Sequence, residues 1–184
     1  PVDGKFRPEQ RAVYDAVLAA HHAGIDAVRP GASLADVHGA AVRVLAEAMV
    51  QLGLLQGPTD ALLARYQEEE TARREGREPA AEDDQEPGIS TFFPHRTSHW
   101  LGLEVHDVGA QVVDDRPLPL QPGMILTVEP GLYVPADSNA PEALRGVGVR
   151  IEDDVLVTAA GHDVLTADLP ADADAVADLL AGSR

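Results

Sequence analysis

MILTVEPG, residues 124–131, reads as an apolar strand that ends on a carboxylate. Side chains alternate along a strand, so Ile125, Thr127 and Glu129 fall on one face and Met124, Leu126 and Val128 on the other. Pro130-Gly131 predicts a turn directly afterwards, so Glu129 is either a solvated residue at a strand end or an acid delivered to a site. A second apolar run, 147–151, sends its β-branched residues one way and Gly148, Arg150 and Glu152 the other. Arg150 and Glu152 then share a face. They form either a surface ion pair of little worth or a metal-binding glutamate with an arginine that orients a carboxylate from behind.

Outward from these two runs, the stretches 101–105 and 155–157 are also short, β-like and bounded by glycine or proline, which predicts an antiparallel sheet over the second half. The first half has helical spacing. Pro8 fits a first turn, and Val13, Val17, Ala20, Gly24 and Ile25 recur along one face through Ala27. Pro30-Gly31 breaks that helix. Ser33, with Asp36 three positions on, then offers an N-cap and an acidic first turn to a second helix carrying Val37, Val44, Leu45 and Ala48 and ending near Gly53. A third, short helix is expected over 62–70, and the densely charged stretch at about 67–88, with Gly76, Pro79 and Pro87, reads as an exposed insertion and a solvated loop. Helices early and strands late predict an α+β architecture rather than alternating βαβ units.

The 184 residues suffice for one domain, and 45% apolar with 24% charged residues is the composition of a folded globular chain. A net charge of −17 opposes nucleic acid and anionic membranes as partners and favours small ligands, peptides or metal cations. Without cysteine there is no disulfide framework, thiolate metal site or cysteine nucleophile. No apolar run is long enough to span a bilayer and no signal segment is visible, which is compatible with a cytoplasmic location. The chain opens on Pro1 rather than methionine, so it is expected to be processed or truncated.

Chemistry concentrates where His95, His99 and His106 share the stretch PHRTSHWLGLEVHD, residues 94–107, and the glutamates 129 and 152 follow apolar strands. Mn²⁺, Co²⁺ and Zn²⁺ accept imidazole nitrogen together with carboxylate oxygen, and two such ions bridged by carboxylates can activate water. One histidine with several carboxylates suits such a pair.

The segments SHWLGLEVHDVG (98–109), LQPGMILTVEPGLYV (120–134) and GVGVRIEDDVLVT (146–158), in this order, resemble the aminopeptidase P group of the pita-bread metallopeptidases, as do PVDGKF (1–6), RPGAS (29–33) and QLGLL (51–55). The resemblance implies a pita-bread fold, here incomplete, in which a curved antiparallel sheet flanked by helices cups two divalent metals, usually Mn²⁺, with Co²⁺ or Zn²⁺ as alternatives. It implies hydrolysis: removal of the N-terminal residue from peptides with proline at the second position. Matched to the motifs, His99 is a metal ligand, Glu129 a ligand that also serves as general base, and Glu152 the bridging carboxylate. His95 and His106 match catalytic histidines that are not ligands, and Arg150 an arginine behind the ligands.

Two aspartate ligands of the family pattern belong upstream of PVDGKF, and Asp3 matches neither. Residues 1–184 are therefore expected to be the C-terminal part of the catalytic domain, inactive alone, prone to self-association, and homo-oligomeric in full-length form. Prolidase, methionine aminopeptidase and creatinase relatives rank lower. The alternative of another class is a non-catalytic pita-bread module that binds peptides or proteins.

Overall fold

Two long helices carry the core. The computed structural model describes residues 1, 4–77 and 86–182; Asp3 and the 78–85 part of the charged stretch lie outside them. Helix α1, Pro8–Ala27, has proline in its first turn and buries Val13, Val17, Ala20, His21, Gly24 and Ile25 as one stripe. Helix α2, Leu34–Gln51, starts at a reciprocal cap: Ser33 Oγ accepts from the Asp36 N–H at 3.3 Å, and Asp36 Oδ2 accepts from the Ser33 N–H at 2.8 Å. Both helices begin and end where the sequence places them.

Helix α3 is longer than expected. It runs Thr59–Arg74, so the first part of the charged stretch is helical and its Glu69 and Ala72 are buried. Spacing explains the extension: Arg65 pairs with Glu69 four residues on (3.6 Å) and Glu70 with Arg73 three residues on (3.1 Å), contacts that only a continued helix supplies.

After the single turn α4, Ile89–Phe92, the strands are short. They are β1, Val112–Val113; β2, Arg116–Pro117; β3, Ile125–Val128; β4, Gly131–Tyr133; β5, Gly148–Arg150; β6, Asp153–Val157; and β7, His162–Val164. All pairs are antiparallel: β1 with β2, β3 with β6 and β6 with β7, and β4 with β5. Val128 faces Asp153 in one ladder and Gly131 faces Arg150 in the next, with the Ile151 N–H donating to the Pro130 carbonyl between them at 3.4 Å. The β3–β4 and β5–β6 strands are thus one two-stranded ribbon interrupted at Glu129-Pro130 and at Ile151-Glu152. Pro130-Gly131 does not reverse the chain as the sequence suggested. Proline withdraws one donor from the ladder, and pairing resumes at Gly131.

The strand expected at 101–105 is also displaced. Residues 97–101 lie along β3, with Glu129 N–H donating to the Thr97 carbonyl (2.8 Å), Thr127 N–H to the His99 carbonyl (3.0 Å) and Leu101 N–H to the Ile125 carbonyl (3.2 Å). Beyond Leu101 no partner remains, because β3 has begun only at Ile125 after the Pro122-Gly123 turn. The chain leaves the sheet, and Leu103 is 102% exposed.

Two cores result. The larger joins α1, α2 and α3 to α4 and the β4–β5 ladder, around Leu45, Met49, Phe92, Phe93 and Leu132; the smaller sets Ile25, Val28 and Val37 against Leu126, Val128 and Val155. Gly24 is required for the second contact, since a Cβ there would stand 2.8 Å from Val128 Cγ1. Helix α5, Ala173–Gly182, was not foreseen although Asp172 caps it, accepting from the Asp174 and Ala175 N–H groups at 3.0 Å. Among the described residues no helix is long and apolar enough to cross a membrane.

Candidate metal centre

The interruption of the ribbon places two carboxylates side by side. Glu129 and Glu152 stand where each strand passes from one ladder to the next, and the 97–101 segment brings His99 up beside β3. His99, Glu129 and Glu152 each offer a ligand atom within 4.8 Å of the others, the one such cluster among the described residues. Glu129 is buried, at 7% exposure, which dismisses the reading of a solvated strand end.

Hydrogen bonds fix what each group presents. His99 Nδ1 lies 2.9 Å from the Trp100 carbonyl, an acceptor only, so Nδ1 carries the proton and the Nε2 lone pair faces inward. Nε2 is 3.0 Å from Glu129 Oε1. A lone pair and a carboxylate oxygen at that separation require a proton or a cation between them. With one imidazole nitrogen and two carboxylates converging, the residues fit a divalent cation of the Mn²⁺, Co²⁺ or Zn²⁺ type. Glu152, at the exposed rim, has its pKa pushed up, first by partial burial and then by the neighbouring charge of Glu129, the strain that a shared cation relieves.

Thr127, two residues before Glu129 and on the same face, donates to Glu129 Oε1 at 3.1 Å. Arg150 Nη1 lies 3.3 Å from Glu129 Oε2, so its partner is Glu129 and not Glu152. Arg150 Nε–H also donates to the Tyr133 hydroxyl oxygen at 2.9 Å. His95 Nδ1–H donates to the Arg96 carbonyl (2.8 Å), leaving Nε2 to accept from the Tyr133 O–H (2.9 Å). Arg150 therefore donates both ways, as an ion-pair partner of Glu129 and into a hydrogen-bonded run through Tyr133 to His95, whose pKa is lowered, chiefly by burial. His106 sits edge-on to His99, ring centroids 4.3 Å apart, on the solvent side.

The sequence reading brought His95, His99, His106, Glu129, Arg150 and Glu152 to one place and missed Tyr133. The signal was Gly131: a Cβ there would be 2.4 Å from the Tyr133 hydroxyl, so glycine is what lets the ring fold back over its own strand. Asp153 was missed too. Its Oδ2 lies 3.1 Å from Nε2 of the buried His21, which makes no aligned hydrogen bond, and its Oδ1 accepts from Thr166. Burial lowers the pKa of His21, with the charge of Asp153 opposing.

Cavities of about 430 and 390 Å³ lie elsewhere, neither lined by a residue of the triad, so the triad lies outside both.

Against known proteins, the family model described as metallopeptidase family M24 matches residues 2–159. The Xaa-Pro aminopeptidase of Escherichia coli (strain K12) is 41% identical over 184 residues, which are 100% of this chain and 37% of that protein. Xaa-Pro aminopeptidase 1 of Streptomyces coelicolor is 44% identical over 187 residues, 100% of this chain and 34% of its own. The solved structure of Pseudomonas aeruginosa aminopeptidase PepP superposes with a TM-score of 0.83 at 39% identity, covering 98% of this chain and 36% of that one. That of Escherichia coli aminopeptidase P with the inhibitor Pro-Leu gives 0.83 at 40% identity, covering 100% and 37%. The chain spans about a third of the length of these relatives.

Proposed function

The chain belongs to metallopeptidase family M24 and has its pita-bread fold, and from that premise we propose that it is the C-terminal part of the catalytic domain of a Xaa-Pro aminopeptidase. The protein would remove the N-terminal residue from peptides with proline second. The observation that carries this reading is the convergence of His99, Glu129 and Glu152 within 4.8 Å.

In this reading His99 Nε2 and the two carboxylates hold divalent metal, Mn²⁺ as the working choice, with a second ion completed by two aspartates upstream of Pro1. Bound metal supplies Lewis acidity toward the scissile carbonyl and water acidified to near neutral pH. The remaining work falls to side chains. Glu129 accepts the water proton at a carboxylate oxygen, while Thr127 and Arg150 hold that carboxylate in place. The scissile bond is to the proline nitrogen, which carries no hydrogen and, like any amide nitrogen, must gain a proton to leave as an amine. His106, edge-on to His99, and His95, linked through Tyr133 to Arg150, are the groups assigned to proton movement and to donation toward the developing negative charge. In this proposal the full-length protein acts in the cytoplasm as a homo-oligomer, and this chain alone has little or no activity.

The test is metal stoichiometry by elemental analysis after Mn²⁺ loading, on this chain and on a form extended upstream, with Xaa-Pro peptide hydrolysis assayed alongside. Two metals and proline-specific cleavage in the extended form alone are expected. No metal and no cleavage in either form would turn the assignment to a non-catalytic peptide- or protein-binding module.

A further inference from the structure

The hydrogen bonds of His38 run in one direction. The Thr97 backbone N–H donates to its Nδ1 at 3.2 Å, so the ring proton is on Nε2 and is donated to the Tyr66 hydroxyl oxygen at 2.9 Å. Tyr66 is left with a hydroxyl hydrogen for which no described residue provides an acceptor. Burial, followed by the charge of Glu70, pushes the Tyr66 pKa to about 12, so that hydrogen is retained at neutral pH.

Tyr66 and His38 line the groove of about 390 Å³ between α2 and α3. Arg43, Arg74 and Arg96 line it as well, against one carboxylate, Glu70. Arg43 is engaged by Asp60 at 3.2 Å and Arg96 by Glu70, whereas Arg74 makes no hydrogen bond or ion pair with any described residue. On a chain of net charge −17, three guanidinium groups around one concavity, two of them paired with Asp60 and Glu70, leave a local excess of one positive charge at Arg74. Guanidinium forks and a hydroxyl donor arriving from two helices and the 94–97 segment supply converging donors from several directions, enough for the three oxygens of a phosphate group. A volume in the range of small-molecule sites, ~300–1,000 Å³, leaves room for more than the anion itself.

We infer that the α2–α3 groove is a binding site for a small phosphate-bearing anion, with Arg74 and Arg96 on its oxygens and the Tyr66 hydroxyl donating to it. The floor of the groove is connected to the metal centre by covalent and hydrogen-bonded neighbours. Thr97, which fixes His38, also accepts the Glu129 N–H at 2.8 Å and stands two residues before His99. The inference concerns a site separate from the triad and does not require the peptidase reading.

Calorimetric titration of the metal-free, full-length protein with inorganic phosphate and with phenyl phosphate, at low ionic strength, tests it. Saturable binding at one site is expected, tighter for phenyl phosphate if the natural ligand is a phosphomonoester and equal for the two if it is the free ion. Loss of a charge-assisted contact in Arg74→Ala should weaken binding about 10-fold, and Tyr66→Phe by a smaller factor. Arg116→Ala, on the distant hairpin, should bind as the parent does, and circular dichroism of all three variants checks that they fold. Absence of saturable binding, or equal weakening by Arg74→Ala and Arg116→Ala, overturns the inference. Neither metal nor peptide enters the titration, so its failure is distinct from failure of the hydrolytic assignment.

Discussion

Leu45 in α2 and Leu103 beyond the sheet are the same side chain at opposite extremes, 0% and 102% exposed. Around Leu45 the apolar stripe of one helix meets that of another and the β4–β5 ladder closes the layer. Around Leu103 the residues Val105, Val108, Val112 and Val113 are exposed too, and no described element covers them. An apolar pattern becomes a core only where a second surface lies opposite it, and a contiguous exposed one marks a surface for association. The candidate metal centre sits on this boundary: Glu129 and Glu152 belong to the anchored ribbon, whereas His99 belongs to the segment that leads out of it.

The contrast is broken most directly by truncating both leucines. Leu45→Ala should cost about 2–5 kcal/mol of unfolding free energy, and Leu103→Ala no more than about 0.5 kcal/mol, as read from urea midpoints. Equal shifts would mean that the two regions share one cooperative core. A finer probe is Tyr133→Phe, which removes the link between Arg150 and His95 without touching a ligand. Metal affinity or peptide turnover of the full-length protein should fall about 10–100-fold, the effect typical of groups that orient ligands, and an unchanged value would reduce the Arg150–Tyr133–His95 hydrogen bonds to packing.

His38 tests the anchored side by pH. Burial holds its pKa at about 3 against an ordinary 6.5, so the unfolded chain takes up a proton through that window and the folded chain does not. Its contribution is complete above pH 6.5 and is lost toward pH 3, at about 1.4 kcal/mol per pH unit. His38→Gln keeps one acceptor and one donor and should flatten the acid limb by up to one proton; an unaltered slope would show that His38 is not the titrating group. The smallest expected effect is on the open side. The chain alone should self-associate through its exposed apolar segment, and Leu103→Glu with Val108→Glu should lower its sedimentation coefficient, whereas a sharp monomer before any substitution would remove that role.

What the sequence made legible were features set by local rules. Pro8, the Ser33 and Asp36 cap, and the alternation that put Thr127 with Glu129 and Arg150 with Glu152 depend on neighbours a few residues away, and all reappear in the structure. Less legible were features set at a distance. That Pro130 interrupts a ladder rather than turning the chain depends on Ile151; that Arg150 reaches Glu129 depends on the register of β4 with β5; and that the 101–105 run leaves the sheet depends on where β3 begins. The motif resemblance supplied the candidate ligand set that periodicity alone left open, while Tyr133 and the His21–Asp153 contact belonged to neither source.

The break in the ribbon also bears on how long the protein lasts in a cell. A cation held, as proposed, by His99, Glu129 and Glu152 would clamp three chain segments that an unfolded chain cannot bring together, so its binding energy would be added to the free energy of unfolding. At a free metal concentration 100 times the dissociation constant this amounts to about 2.7 kcal/mol, enough to reduce the unfolded population about 100-fold. Proteases act on that population. Metal scarcity would then shorten the lifetime of the protein as well as silence it, and the supply of the ion would set its abundance.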